Sequence, residues 1–141
     1  MKLVLDTGVL GQICHPRKHQ DVRVWFRRAV REHEILVSEV ADYELRRELL
    51  RIESRRSLAR LDELTRELRY LPTTTATWRG AAQLWAAQRR TGRLSGEGLD
   101  GDVLIAAQAL IEDAAIVTFN EKHFETWIEA MSWTAVPLAP P

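Results

Sequence analysis

Short apolar segments alternate with longer amphipathic segments along most of this chain, and this alternation limits its fold more than any other feature. One apolar run covers residues 2–6, and a second covers residues 34–38. Between them, over residues 21–33, apolar side chains recur at the three- and four-residue spacing of an amphipathic helix. Buried strands that are separated by helices pair in parallel, because each helix carries the chain back across the sheet. The pattern predicts an α/β fold with a mostly parallel sheet that is covered by helices on both faces.

The rest of the chain continues this alternation without a repeat or a linker, which predicts a single domain over residues 1–141. Ser38 is suited to cap the helix that follows the second strand. The other predicted elements, in chain order, are a short helix at Thr7–Cys14 stopped by His15-Pro16, a helix with a Leu45-Leu49-Ile52 stripe, a helix with Leu58, Leu61, Leu64 and Leu68 on one face, a short strand at 70–72, a helix with Trp78, Ala81, Ala82 and Trp85 that ends near Gly92, a turn at 93–99, a helix at 103–111 buried nearly all round, a strand at 115–119 and an edge strand at 133–138.

Composition excludes several classes of protein. No apolar run approaches the length of a membrane span, and the apolar start of the chain is interrupted at Asp6, too early for a secretory signal. We therefore expect a cytoplasmic protein that does not enter a membrane. Cys14 is the one cysteine, so the chain has no internal disulfide and no cysteine-based zinc cluster. The residue is best interpreted as a small buried apolar side chain.

Charge is unevenly distributed although the net charge is zero. Residues 1–93 hold 19 Lys+Arg against 12 Asp+Glu, whereas residues 94–141 hold one Lys against eight acids. Of the basic residues, 17 are arginine, whose planar guanidinium suits phosphate. A basic face beside an acidic pocket would suit a metal-using enzyme with a polyanionic substrate. Solvated helix faces explain the same counts equally well. Trp78 and Trp85, seven residues apart, indicate core or dimer-interface packing rather than a base-stacking platform.

Carboxylates and one carboxamide stand where predicted strands end or the next helix begins. Asp6 ends the first strand, Asp100 and Asp102 begin the buried helix, and Asn120 follows the strand at 115–119. In open α/β sheets, working residues lie at the carboxyl ends of the strands, where the strand order reverses. Glu44 lies about two turns into the helix after Ser38, away from its apolar stripe. These side chains are therefore the candidates for chemistry.

Each carboxylate also has a purely structural explanation. Asp6, Asp100 or Asp102 could cap a helix. Glu44 could be a solvated carboxylate that pairs with a neighbouring arginine, Arg47 or Arg51. Capping requires only one short polar residue per helix, however, whereas Asp100-Gly101-Asp102 places two acids at the start of a helix that otherwise lacks charge.

The residue types in this group select a class of metal. Hard divalent cations prefer oxygen ligands, and Mg²⁺ is bound through one or two carboxylates while it keeps several waters. The four histidines, His15, His19, His33 and His123, have no recognisable metal-ligand spacing. Carboxylates without imidazole or thiolate indicate Mg²⁺ or Mn²⁺ rather than zinc.

Four segments, in order from the first strand to Phe124, contain the candidate residues. They read Val4-Leu5-Asp6-Thr7-Gly8-Val9-Leu10, Val37-Ser38-Glu39-Val40-Ala41-Asp42-Tyr43-Glu44-Leu45, Asp102-Val103-Leu104-Ile105-Ala106-Ala107 and Thr118-Phe119-Asn120-Glu121-Lys122-His123-Phe124. The first is a strand that ends in Asp-Thr, the second carries its acid at Glu44, the third is an Asp three residues before Ile-Ala-Ala, and the fourth is Thr-x-Asn followed by His-Phe. Together they resemble the motifs of PIN domains, in the order and spacing of that family.

The resemblance implies a five-stranded parallel sheet between helices, a three-layer α/β/α arrangement, and Mg²⁺- or Mn²⁺-dependent endoribonuclease activity on RNA. At this size the chain is similar to VapC-type toxins, which implies a homodimer silenced by a cognate antitoxin in a type II toxin–antitoxin system. The acidic triad would be Asp6, Glu44 and Asp102, all metal-binding and catalytic. The resemblance makes Asp100 an outer helper, and Thr7 and Thr118 would orient carboxylates or water. Asn120 stands where many members have a fourth acid, so it can bind a ligand or donate a hydrogen bond but cannot supply charge.

Three other functions compete with this one. Haloacid dehalogenase-type phosphatases need a second Asp at the position of Gly8, and receiver domains need an acidic neighbour beside Asp6; the sequence has neither. The closer alternative is a PIN-like module that binds RNA or a protein without cleaving it. The presence of all three acids disfavours that alternative, and a metal-dependent cleavage assay separates the two.

Overall fold

The computed structural model describes residues 1–91 and 99–141, and within them five strands alternate with six α-helices. Two short 3₁₀ helices, at Glu121–His123 and Trp133–Ala135, complete the C-terminal part. The strands are β1 (Lys2–Leu5), β2 (Glu34–Ser38), β3 (Arg69–Leu71), β4 (Ala115–Val117) and β5 (Ala130–Met131), and the helices are α1 (Thr7–Cys14), α2 (Gln20–Glu32), α3 (Glu39–Arg51), α4 (Arg55–Glu67), α5 (Thr75–Thr91) and α6 (Leu99–Ile111).

All strand pairs in the described residues are parallel, and the sheet order is β3-β2-β1-β4-β5. The chain moves outward from β1 through β2 to β3 and then returns to the other side of β1 to add β4 and β5. Right-handed crossovers on the two sides of β1 put the helices on opposite faces of the sheet. The strand order reverses between β1 and β4, which creates a crevice at the carboxyl ends of these two strands. The predicted parallel α/β fold is confirmed.

The core is built around the central strand. Leu3, Val4 and Leu5 of β1 are completely buried, because β1 has a strand on either side and helices over the sheet. Such a strand is apolar throughout rather than alternating. Cys14 is buried as expected, with its thiol pKa raised to about 12 chiefly by burial. Removal of these apolar surfaces from water is the main favourable contribution to folding.

A buried polar link fixes α6 against the carboxyl ends of two strands. Gln108, a polar residue in the otherwise apolar middle of α6, accepts a hydrogen bond from Ser38 Oγ at 2.5 Å and donates one to Leu71 O at 2.8 Å. Ser38 also caps α3 as predicted, since its Oγ accepts from the backbone N–H groups of Val40 and Ala41. Buried polar groups are costly unless they are paired, so this link specifies one position for α6.

The predicted edge strand at 133–138 is wrong. The edge strand is β5, at Ala130–Met131, and it pairs with β4. Trp133–Ala135 instead forms a 3₁₀ helix, because Ser132 Oγ accepts a hydrogen bond from Thr134 N (3.3 Å) and turns the chain. A serine that bonds the backbone two residues ahead competes with strand pairing in this way.

Smaller differences concern the ends of elements. The strand predicted at 70–72 is Arg69–Leu71, and the one predicted at 115–119 ends at Val117, since Thr118 Oγ1 accepts from Asn120 N (3.0 Å) and bends the chain. The helix at 103–111 is not buried nearly all round, because Leu110 and Ile111 at its C-terminal end are exposed. Ile52 lies beyond the end of α3 and is also exposed. The turn predicted at 93–99 lies outside the described residues except Leu99, which begins α6.

In the part of the chain that the structure describes, none of the helices is long and apolar enough to cross a membrane.

Candidate active site

Asp6 and Thr118 meet where the strand order reverses. Asp6 follows β1 directly, and Thr118 follows β4. Thr118 Oγ1 donates to Asp6 Oδ2 (2.7 Å), and Thr7 N donates to Asp6 Oδ1 (2.8 Å). Asp6 therefore does occupy the N-cap position of α1, as its structural explanation proposed. The same contacts fix its carboxylate at the mouth of the crevice, so capping and a role in the site are compatible.

Glu44 comes to the same crevice from α3. Thr7 Oγ1 donates to Glu44 Oε1 (2.8 Å), across 37 residues of sequence. Among the ion pairs formed by the described residues, Arg51 pairs with Glu48, and neither Arg51 nor Arg47 pairs with Glu44. The interpretation of Glu44 as a solvated carboxylate paired with a helical neighbour is therefore wrong. The half-buried side chain is held towards Asp6 instead.

Gly101 gives the Glu44 carboxylate its space. A Cβ atom at position 101 would lie 2.7 Å from Glu44 Oε2, closer than real Cβ atoms approach other heavy atoms. The glycine lies in the first turn of α6, where alanine is normally the better helix former. Its presence is explained by the close approach of α3 and α6 at this point.

Asp102 faces the same carboxylates. Its pKa is raised to about 6, first by burial of the carboxyl group, then by the negative charge of Asp6 and, more weakly, by that of Glu44. A hydrogen bond and the charge of His123 act in the opposite direction. Because α6 begins at Leu99, Asp102 lies within the helix rather than at the capping position before it. A carboxylate that a neighbouring acid makes harder to ionise indicates a shared site rather than a cap.

Asn120 and His123 close the crevice beside Asp102. Asn120 Nδ2 lies 3.1 Å from His123 Nδ1, which in turn lies 3.3 Å from Asp102 Oδ2. Asn120 N donates to Thr118 Oγ1, the hydroxyl that holds Asp6. Sequence reasoning assigned no role to His123, although the residue stands in the fourth motif. That motif was the signal that could have found it.

Asp100 is placed differently from the other acids. It is exposed, and it lies on the far side of Gly101, where it lines a hollow next to Glu44. The structure thus brings Asp6, Glu44 and Asp102 together with Thr7 and Thr118, and leaves Asp100 at the rim.

The carboxylates are close enough to repel one another but are not arranged as a complete set of ligands. Within residues 1–91 and 99–141, no three His, Cys, Asp or Glu side chains form a group spaced to hold a metal ion. The donors, however, are carboxylate oxygens, which suit a hard cation such as Mg²⁺ or Mn²⁺. Burial and the neighbouring acids raise the pKa of Asp102 because they make its ionised form unfavourable, and a bound cation would offset that cost. The residues fit a divalent cation by their chemistry.

Part of the arginine excess gathers away from this site. A hollow of about 440 Å³ is bordered by Cys14 and His15 at the C-terminal end of α1, whereas Asp6 and Thr7 lie at its N-terminal end. An eight-residue helix spans about 12 Å, so α1 separates the two regions. The cationic side chains at this hollow are Arg23, Arg27, Arg56 and Arg60.

Replacement of Asn120 tests its position at the edge of the site. If the site is the metal-dependent nuclease site that the sequence implies, and Asn120 only positions a ligand or water, Asn120→Asp is expected to retain activity and to tighten metal binding, because it adds charge without changing shape. Asn120→Ala should lower the cleavage rate by roughly tenfold, as loss of a supporting contact does. Cleavage rates measured over a series of Mn²⁺ concentrations give both the maximal rate and the apparent metal affinity. An Asn120→Ala protein as inactive as Asp6→Asn would instead put Asn120 among the essential residues.

Comparison with known proteins supports the assignment of the fold. No curated protein sequence matches the chain. Among solved structures, the chain is similar to one in VapBC2 from Rickettsia felis bound to a promoter DNA fragment, with 19% identity, a TM-score of 0.78, and coverage of 94% of this chain and 99% of that one.

The chain is also similar to chains from two Mycobacterium tuberculosis structures. VapBC-5, a member of the VapBC family of toxin–antitoxin systems, gives 20% identity, a TM-score of 0.62, and coverage of 93% and 98%. VapC20, described as a sarcin–ricin loop cleaving toxin, gives 13% identity, a TM-score of 0.65, and coverage of 89% and 95%.

The sequence itself matches the PIN domain family over residues 3–126, which is most of its length. This range contains all five of the crevice residues, Asp6, Thr7, Glu44, Asp102 and Thr118. The chain therefore belongs to the PIN domain family.

Proposed function

We propose that this protein is an endoribonuclease that depends on Mg²⁺ or Mn²⁺, hydrolyses RNA phosphodiester bonds in the cytoplasm, and acts as the toxin of a type II toxin–antitoxin pair. The observation that carries the proposal is the convergence of Asp6, Glu44 and Asp102 on one crevice, with the pKa of Asp102 raised by burial and by the other two acids. Folding alone gives no reason to place three carboxylates together, since the arrangement costs free energy. The description of VapC20 as a toxin that cleaves the sarcin–ricin loop supports RNA as the substrate.

The chain supplies the arrangement that this chemistry needs. Asp6, Glu44 and Asp102 are the residues that would hold the ion, which polarises a phosphate and lowers the pKa of an attacking water. Thr7 keeps Glu44 turned towards the crevice, and Thr118 does the same for Asp6. Supporting hydrogen bonds of this kind orient ligands before substrate arrives. The exposed His123 lies beside Asp102, where it can contact a phosphate.

The central test is cleavage by the purified chain alone. Single-stranded and structured RNA should be cut in the presence of Mg²⁺ or Mn²⁺, and EDTA should stop the reaction. Asp102→Asn protein, prepared in parallel, controls for contaminating nucleases. RNA that is bound but stays intact with either metal would favour the alternative of a PIN-like binding module that does not cleave.

The similarity to VapBC chains also supports a proposal about partners. We expect the chain to form a homodimer, and to be silenced by an antitoxin encoded beside it. Expression of the chain alone should arrest growth, whereas co-expression with its genomic neighbour should restore growth and yield a complex that does not cleave RNA. Light scattering measures the stoichiometry. Unimpaired growth with active, soluble enzyme present would contradict the toxin assignment and leave the nuclease assignment in place.

The stability of the protein should respond to metal and pH through Asp102. The pKa of about 6 in the fold is above the ordinary 3.8, so the folded state holds its proton more tightly than the unfolded chain does. Wild-type stability in metal-free buffer should therefore fall as pH rises from 3.8 towards 6, by at most about 3 kcal/mol at 1.36 kcal/mol per pKa unit. The Asp102→Asn variant lacks this loss and should melt at or above the wild-type temperature at pH 7.

Added Mn²⁺ should make the wild type more stable than the Asp102→Asn variant. A cation that binds only the folded state stabilises it by about 2.7 kcal/mol at roughly a hundredfold excess over Kd. The melting temperature should rise with Mn²⁺ for the wild type and hardly at all for Asp102→Asn. A first-turn acid that acts only on the helix dipole predicts the opposite, a loss of roughly 0.3–1 kcal/mol in the variant and no response to metal in either protein. That result would refute the metal site.

A further inference from the structure

A second hollow opens directly beside the carboxylate crevice. Its volume is about 590 Å³, and it lies between α3, α6 and the start of α5. Glu44 and Gly101 belong to its lining, so the hollow and the crevice share the Glu44 side chain. A substrate whose phosphate is held at the crevice must place a neighbouring group in or over this hollow.

The walls of the hollow are aromatic and remain in contact with water. Tyr43 is 61% exposed and Trp78 is 57% exposed, and both line the hollow. Sequence reasoning expected Trp78 to pack in the core or at a dimer interface rather than to stack on bases; the core position is wrong, and the dimer interface stays a prediction. Buried Val40 and half-buried Leu104 form an apolar floor. Exposed aromatic faces beside a nuclease site are suited to stacking of unpaired bases.

The charges around the hollow select a neutral group that donates hydrogen bonds. Three carboxylates, of Glu39, Glu44 and Asp100, face one guanidinium, of Arg47. Glu39 Oε1 accepts from Thr73 N (3.0 Å) and Thr73 Oγ1 (2.6 Å), and these bonds lower the Glu39 pKa. Its other oxygen accepts no hydrogen bond from the residues that the structure describes. The excess of carboxylates disfavours a phosphate or an acidic peptide within the hollow, and favours a base with an amino group.

Arg47 lines the hollow, and its contact with Tyr43 holds its guanidinium in place. Its guanidinium carbon lies 5.0 Å from the centre of the Tyr43 ring, a cation–π arrangement that fixes the charge there. The guanidinium can therefore contact a backbone phosphate while the base lies inside.

We propose that this hollow is the binding site for one unpaired nucleobase of the RNA substrate, next to the scissile phosphate. The base stacks on Trp78, an amino group on its edge donates to Glu39, and Arg47 contacts the sugar–phosphate backbone. This inference rests on the proposed ribonuclease function, since RNA is its ligand. It makes the hollow a determinant of where the enzyme cuts.

Binding of short oligonucleotides tests the site without cleavage. The probes are fluorescently labelled 2′-O-methyl hexanucleotides of A, C or U, titrated in EDTA and followed by anisotropy. Trp78→Ala should weaken binding roughly tenfold, the effect of losing one stacked base, whereas Trp78→Phe should retain most of it. The matched control is Trp85→Ala, on the same helix about two turns further along and 41% exposed, which should change binding less than twofold.

Base preference tests the Glu39 contact. Wild-type protein should bind the A and C probes more tightly than U, which lacks an amino group, and Glu39→Gln should reduce that difference. In cleavage assays Trp78→Ala should raise KM with little change in kcat. An equal preference for all three probes would overturn the Glu39 contact.

The remaining outcomes separate this inference from the proposed function. Circular dichroism checks that the variants fold, which the exposure of Trp78 leads us to expect. Equal losses of oligonucleotide binding in Trp78→Ala and Trp85→Ala would overturn the base site. So would a dimer that Trp78→Ala converts to a monomer while binding per protomer stays unchanged, because that result would make the surface an interface between copies. Wild-type protein that binds through Trp78 but never cleaves would refute the nuclease and leave the base site standing. Cleavage that is indifferent to Trp78 would refute only the base site.

Discussion

Asp6→Asn and Asp102→Asn are each expected to lower the rate of RNA cleavage by roughly a thousandfold, about 4 kcal/mol of transition-state stabilisation. Both substitutions keep the size and the hydrogen-bonding shape of the side chain but remove the negative charge that would hold the proposed cation. Asp6→Asn retains an oxygen that can accept from Thr7 N, so the start of α1 should be preserved. Glu44→Gln should behave nearly as the other two. Single-turnover rates at saturating Mn²⁺ measure the loss.

A matched substitution elsewhere controls for the chemistry of the change. Asp113 is exposed, and its φ of 53° lies in a region that Asn adopts as readily as Asp. Asp113→Asn should therefore leave both activity and melting temperature unchanged. If the three site variants cleave RNA as fast as the Asp113→Asn protein, the active-site assignment is wrong.

The second large effect is expected from a single methyl group. Gly101→Ala should reduce kcat by about a hundredfold, the cost that a displacement of roughly 1 Å can have in an active site. The added Cβ would lie 2.7 Å from Glu44 Oε2, and the end of the Glu44 side chain can move away more easily than either helix. Stability should stay constant or rise by up to about 1 kcal/mol, because alanine is the better helix former.

This combination of a lost activity and an intact fold distinguishes the site from the core. The control is Gly80→Ala in α5, where the new Cβ would lie 3.6 Å from Ala107 Cβ, an ordinary contact. That variant should keep full activity. A Gly101→Ala enzyme with normal kcat and an unchanged response to Mn²⁺ would mean that the position of the Glu44 carboxylate does not matter for the reaction.

Prediction from sequence succeeded where burial leaves a local pattern. The runs that became β1 and β2 have apolar centres, Leu3–Leu5 and Ile35–Val37, since both strands lie inside the sheet, and their bounds were predicted to within one residue. Ser38 was recognised as a cap because capping involves neighbours in the chain. β5 was missed because it is a two-residue edge strand of half-buried residues, and its position is set by pairing with β4. The strand predicted at 133–138 was wrong because Ser132 turns the chain into a 3₁₀ helix instead.

By itself the sequence determined the parallel α/β fold and the family, and it singled out the three acids that the fold brings to one crevice. Strand ends and helix starts can be read from a chain, and the crevice of a parallel sheet must lie at the carboxyl ends of its strands. Only the tertiary structure decided how those acids are held: Thr7 on Glu44, Thr118 on Asp6, His123 beside Asp102, and Gly101 making room for a carboxylate of another helix. It also decided that Trp78 lies exposed next to the crevice rather than in the core. The physical reason is that hydrogen bonds, electrostatic repulsion and steric contact depend on distance in space, and most of these partners are more than twenty residues apart in the chain.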